Sequence, residues 1–140
     1  MILRYKKLIP EAVAPMFATE GAACMDLTCV STLVQGDTIT CTTGIAFEVP
    51  EGHVMLIYSR SGHGFKQGLR LVNCVGVIDS DYRGEVMVKL RMDQEGDFNI
   101  KHGDRVAQAM LVELPKYALQ EVEELSDTAR GIGGFGSTNK

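Results

Sequence analysis

No stretch of this sequence stays apolar for the roughly 18–20 residues that a bilayer-spanning helix requires, so a helical membrane span is excluded. The first residues, Met1 to Lys7, pass from mixed character straight to charge. They lack the apolar run of a secretory signal, and the expectation is a cytoplasmic protein with no membrane partner. Positive charge is also short: 14 Lys and Arg stand against 18 Asp and Glu, for a net charge of −4. A general nucleic-acid binder needs a field of the opposite sign, so no nucleic-acid partner is expected. The cysteines, Cys24, Cys29, Cys41 and Cys74, form no C-x-x-C pair, and no histidine lies at ligand spacing from them. That argues against a zinc knuckle and leaves them as small buried apolar residues in a reducing compartment. Internal repeats and a domain boundary are missing too, so the 140 residues read as a single domain. With 45% hydrophobic and 23% charged side chains, the chain has material for a folded core, which excludes wholesale disorder.

What the sequence does have is alternation. Between Asp37 and Val49, Ile39, Cys41, Ile45, Phe47 and Val49 share one parity, while Thr40, Thr42 and Glu48 take the other. Val86, Val88 and Leu90 alternate in the same way with Glu85, Met87, Lys89 and Arg91. Side chains two apart share a face of a strand, so both segments read as strands with one buried side. Val54 to Tyr58 and Val106 to Leu114 are more continuously apolar, as strands inside a sandwich or barrel can be. Turn chemistry separates these runs at Gln35-Gly36-Asp37, Pro50-Glu51-Gly52, Gln94-Glu95-Gly96-Asp97 and Lys101-His102-Gly103-Asp104. Many short strands punctuated in this way predict an all-β sandwich or barrel. Leu119 to Leu125 alone has the pattern of a helical turn or two.

Two segments stand out chemically. Gly76-Val77-Ile78-Asp79-Ser80-Asp81-Tyr82-Arg83-Gly84-Glu85-Val86 reads as strand, tight turn, strand, with Asp79 opening the turn. Asp79 is either a turn former or, paired with Asp81, a weak candidate for metal ligation. Tyr82 either caps a hydrophobic edge or faces a ligand. The last stretch, Ser126 to Lys140, has too little apolar surface to hold itself down. It reads either as a frayed tail or as a segment that orders on a ligand. Arg130, the exposed amides of a glycine-rich run, and Ser137 with Thr138 are what a polyphosphate needs, and Phe135 could cover a base.

In order along its whole length, the chain resembles the trimeric dUTPase family. Five motifs carry the resemblance. They are Ala22-Ala23-Cys24-Met25-Asp26-Leu27; Arg60-Ser61-Gly62; Asn73 with Gly76 through Gly84; Gly103-Asp104-Arg105-Val106-Ala107-Gln108; and Arg130-Gly131-Ile132-Gly133-Gly134-Phe135-Gly136-Ser137-Thr138. The resemblance implies a jelly-roll-like β-barrel over residues 1–125, with a flexible glycine-rich arm over 126–140. It also implies a homotrimer whose sites are shared, each arm closing over a neighbouring subunit's site. The implied reaction is Mg²⁺-dependent hydrolysis of dUTP to dUMP and pyrophosphate, which limits uracil in DNA and supplies dUMP for dTMP synthesis.

Residue by residue, the resemblance makes Asp79 the base that activates the attacking water, with Gln108 helping to place it. Ser61 and Gly62 would bind phosphate oxygens, and Arg60 would either touch phosphate or be positioned by Asp26. Asn73, Gly76, Val77 and Ile78 would read uracil from a hairpin, and Tyr82 would lie beneath the deoxyribose where a 2′-hydroxyl would collide. Arg130, Gly136, Ser137 and Thr138 would close on the outer phosphates while Phe135 stacks on the base. The triphosphate itself would hold most of the Mg²⁺ coordination, with little direct ligation from the protein and no ligating side chain implied. The chain departs from the family pattern at Cys24, where Gly is usual, at Ser59, where Pro commonly precedes Arg60, and at Gly62-His63-Gly64, where His63 is expected on an exposed loop. A dCTP deaminase shares this fold but would need a different second motif. A non-catalytic nucleotide sensor would have lost Asp79 or the arm.

Overall fold

A computed structural model describes residues 1–93 and 96–136. Ten strands and one short helix follow in the order β1 (Arg4–Lys7), β2 (Met16–Phe17), β3 (Met25–Thr28), β4 (Ser31–Gln35), β5 (Thr38–Glu48), β6 (His53–Tyr58), α1 (Ser61–Gln67), β7 (Leu69–Leu71), β8 (Val75–Ile78), β9 (Glu85–Met92) and β10 (Arg105–Glu113). The four segments expected as strands from their apolar patterning are β5, β6, β9 and β10. The ten strands of the described residues form two five-stranded antiparallel sheets. One runs β1-β5-β9-β7, with β4 also paired to β5, and the other runs β2-β3-β10-β6-β8. The result is a jelly-roll-like sandwich whose barrel is not closed within the single chain.

Alternation decides what lies between the sheets. Ile39, Cys41, Ile45 and Phe47 from β5 and Val86, Val88 and Leu90 from β9 meet Met25, Leu27, Met55, Ile57, Ala107 and Ala109 from the facing sheet. All are buried, and area removed from water is the main force holding such a core. The opposite parity of the second sheet stays outside. Asp26, Gln108 and Tyr58 are direct register neighbours across β3, β10 and β6, so one outward row crosses that sheet.

Several expectations need correction. No helix or strand forms over Leu119 to Leu125. Leu119 and Leu125 are exposed, and a helix this short holds only where packing supports it. The helix forms instead at Ser61–Gln67, a segment with two glycines that propensity alone would reject. Tertiary position overrides that preference: α1 bridges the end of β6 and the start of β7. His63 therefore sits on a helix and is half-buried, not on an exposed loop. Of the cysteines, Cys29 and Cys41 are core residues, but Cys74 is exposed and Cys24 only half-buried. Burial pushes the Cys41 thiol up to about 12, with neighbouring Cys29 adding to the shift.

The segment around Asp79 does read strand, turn, strand, yet its arms are not ladder partners. β8 pairs with β6, whereas β9 pairs with β5 and β7. The two sheets pull the arms apart, and a cleft opens where a simple hairpin would have closed.

Candidate functional site

The polar row on the second sheet is knitted around one carboxylate. Asp26 has a side chain only 12% exposed and takes two arginines at once. Arg60 Nε lies 3.3 Å from its Oδ1, and Arg105 Nη1 donates to its Oδ2 at 2.9 Å. Arg60 Nη1 also donates to the Arg105 carbonyl oxygen at 2.9 Å, so the guanidinium is held at both Nε and Nη1. Among the described residues Arg60 Nη2 has no hydrogen-bond partner. Gln108 Nε2 donates to the Ser59 carbonyl oxygen at 2.9 Å, which leaves the Gln108 side-chain oxygen as its available group. Ser59, where the resemblance leads one to expect Pro, uses its hydroxyl to accept the Leu71 N–H at 2.9 Å. A proline could not replace that bond.

Arg60 is the residue before α1, and its own carbonyl oxygen accepts the N–H groups of His63 and Gly64. The first N–H groups of a helix have no intrahelical acceptor. Those of Ser61 and Gly62, which directly follow Arg60, therefore have no acceptor within α1. His63 follows directly. Its Nδ1 is covered and has no partner among the described residues. Burial, then the Arg60 charge, hold its pKa below the ordinary 6.5, against an opposing pull from Asp104.

The second half of the site is the cleft between β8 and β9. Val77, Ile78, Asp79, Tyr82, Glu85, Val86 and Met87 line 260 Å³ of it. An adjoining 330 Å³ is bounded by Asn73, Gly76, Val77 and Lys89 among others. β8 is the edge of its sheet, so its outer backbone groups are unpaired and can meet a ligand. Gly76 gives the strand a close approach to β6: a Cβ there would come 3.0 Å from Ile57 Cβ, tighter than most side chains pack, so a larger residue would push the two strands apart. Tyr82 folds back over Gly84, its hydroxyl donating to the Glu85 carbonyl oxygen at 3.0 Å. Its N–H closes the turn on the Asp79 carbonyl oxygen at 3.2 Å.

The structure thus brings Asp26, Arg60 and Gln108 together beside Ser61 and Gly62, and separately gathers Asn73, Gly76, Val77, Ile78, Asp79 and Tyr82. Among the described residues, no hydrogen bond joins the arm to either group. Arg130 Nε bonds its own turn at the Gly133 carbonyl oxygen, and Phe135 and Gly136 are exposed. Ser137 and Thr138 lie outside the described residues. Arg105 is the residue that reading for roles missed. Its place within the fourth motif was the available signal, but only folding sets it against Asp26.

A divalent ion can be tested against these donors. Asp26 is committed to two arginines, and among the described residues no three His, Cys, Asp or Glu side chains converge as a metal cage. No helix among the described residues is long and apolar enough to cross a membrane.

Comparison with known proteins bears on the same residues. The dUTPase family profile matches residues 11–139. A deoxyuridine 5′-triphosphate nucleotidohydrolase of Nautilia profundicola is 44% identical over 142 aligned positions, covering 100% of both chains. One from Paramecium bursaria Chlorella virus 1 is 45% identical, covering 97% of this chain and 96% of its own. In structure, a variant of the Staphylococcus bacteriophage 80alpha dUTPase solved with dUpNHpp superposes with a TM-score of 0.85 at 28% identity, covering 97% of each chain.

Proposed function

This chain belongs to the dUTPase family and is a dUTP-hydrolysing enzyme, and from that premise we propose that it cuts dUTP to dUMP and pyrophosphate by water attack at the α-phosphorus. The observation that carries this reading is a carboxylate, Asp79, at the mouth of a cleft walled by an unpaired strand edge. Asp79 accepts the proton of the attacking water and aims it. Gln108, its amide nitrogen already tied to Ser59, offers its oxygen to the same water or orients the α-phosphate. Arg60, held in direction by Asp26 and the Arg105 carbonyl, meets phosphate oxygens together with Ser61 and the Gly62 amide. The triphosphate carries about four negative charges, and Mg²⁺ held on it would supply charge neutralisation.

Uracil presents one donor between two acceptors, and the free edge of β8 with Asn73 matches that pattern in the cleft beside Gly76, Val77 and Ile78. Cytosine inverts part of it and leaves buried groups unpaired, at about 1–3 kcal/mol per group. Tyr82 faces the deoxyribose and excludes a 2′-hydroxyl. The phosphate row and the base cleft draw on different elements of the chain, and among the described residues no hydrogen bond joins the arm to either. This arrangement supports sites shared in a homotrimer, with residues 1–125 as the barrel and 126–140 as an arm lent to a neighbour. Leu56, Met110 and Val77 also lie side by side on the outer face of the second sheet, as suits a surface covered by another copy. There Arg130, Gly136, Ser137 and Thr138 close on the outer phosphates, and Phe135 stacks on the base for about 1–3 kcal/mol. The product supplies dUMP for dTMP synthesis, and removal of dUTP keeps uracil out of DNA.

The test is pyrophosphate release from dUTP, dCTP, dTTP and UTP, each with Mg²⁺ and with chelator. Release from dUTP alone, abolished by chelator, is expected. Ammonia from dCTP without pyrophosphate would replace this reading with deamination.

A further inference from the structure

The ladder between β5 and β9 breaks between the pairs Thr42↔Met87 and Ala46↔Glu85. Across that gap β5 passes through Thr43, Gly44 and Ile45 while β9 has only Val86, which makes a bulge. Two side chains close it. Thr43 Oγ1 donates to the Val86 carbonyl oxygen at 2.6 Å and accepts the Ile45 N–H at 3.2 Å. Glu85 Oε1 accepts the N–H of buried Gly44 at 2.7 Å. Gly44 has φ 65°, and a Cβ there would come 2.9 Å from both Ala12 Cβ and Ile9 Cγ1, so only glycine can aim the amide this way. Its carbonyl oxygen meanwhile takes the Leu8 N–H at 2.8 Å. The amide is fixed, and the carboxylate that meets it is fixed with it.

Glu85 is also where the turn carrying Asp79 and Tyr82 rejoins the sheet. The Tyr82 hydroxyl donates to the Glu85 main-chain carbonyl oxygen, the single hydrogen bond of that side chain among the described residues. The direction of the ring therefore follows the position of the Glu85 backbone, which the bulge sets. We infer that Glu85 is a positioning residue for sugar selectivity: its carboxylate, docked on the Gly44 amide, holds the carbonyl that orients the Tyr82 ring against the deoxyribose. The inference deepens, and rests on, the reading of Tyr82 given above.

The test measures kcat/KM for dUTP and for UTP in the full-length enzyme, alongside thermal melting. Glu85→Ala removes the acceptor, and Glu85→Asp shortens its reach should the alanine variant fail to fold. Either lowers the dUTP-to-UTP ratio by roughly tenfold, as a small misplacement of a contacting group does. Glu85→Gln keeps an oxygen at the same reach and retains the parental ratio. A purely structural residue would lower the melting temperature and leave the ratio alone. Tyr82→Ala serves as the control. If it lowers the ratio while Glu85→Ala and Glu85→Asp keep it, the assignment of Glu85 is overturned and that of Tyr82 stands. If Tyr82→Ala leaves the ratio unchanged, the role of Tyr82 is overturned and the inference falls with it.

Discussion

Replacing Asp26 with Asn removes one charge and leaves the shape of the polar row intact. In the parent, the carboxylate lies 3.3 Å from Arg60 Nε and 2.9 Å from Arg105 Nη1. At an effective dielectric of about 20, each contact is worth about 5 kcal/mol of Coulomb attraction before desolvation. Desolvation offsets much of this. The Arg105 contribution shrinks further because its side chain is 48% exposed and solvent screens it. Arg60, at 24% exposed, keeps more. The net loss is about 2–3 kcal/mol, since truncating one partner leaves two facing guanidinium groups uncompensated. A chain of this size loses about 4 °C of Tm per kcal/mol, so the Asp26→Asn variant melts roughly 8–12 °C below the parent. Arg60 also loses the charged partner at its Nε and is held less firmly, so KM for dUTP rises roughly tenfold while kcat falls less, the signature of lost phosphate binding. Differential scanning calorimetry and steady-state pyrophosphate release read the two effects. A variant melting within about 1 °C of the parent, with unchanged KM, would refute the claim that Asp26 holds Arg60 for phosphate.

Asp79→Asn keeps an acceptor and loses the base, so dUTP binding measured by calorimetry persists while kcat falls by roughly 10²–10⁴; a variant with near-parental kcat would remove Asp79 from the chemistry. Deleting residues from Arg130 onward leaves the melting temperature and the trimer, as read by sedimentation, in place but slows turnover severely; full activity would end the closing-arm reading. The pKa of His63 is lowered by folding, so the unfolded chain binds more protons below pH 6.5. Stability from this group is complete above 6.5 and is lost as pH falls through the lower folded value. Melting temperature therefore drops on acidification below 6.5, and His63→Gln flattens that part of the profile.

The sandwich is largely written in the alternation of Ile39, Cys41, Ile45 and Phe47, and of Val86, Val88 and Leu90. Period-two burial is a local property that a pleated strand imposes on its own side chains. The five motifs were equally visible, because functional groups crowd into short loops at fixed spacing. What could not be read is what neighbours in space decide. Helix α1 forms although Gly62 and Gly64 disfavour it, since β6 and β7 hold its ends. The arms around Asp79 separate because β8 and β9 find partners in different sheets, a competition among strands far apart in sequence. Arg105 and Asp26 meet across 79 positions of chain, and Glu85 meets Gly44 across 41. By itself, then, the sequence determined which strand residues face a core and which family the chain belongs to. Only the tertiary structure decided which charges touch and where the cleft opens, because those depend on long-range pairing that no local pattern encodes.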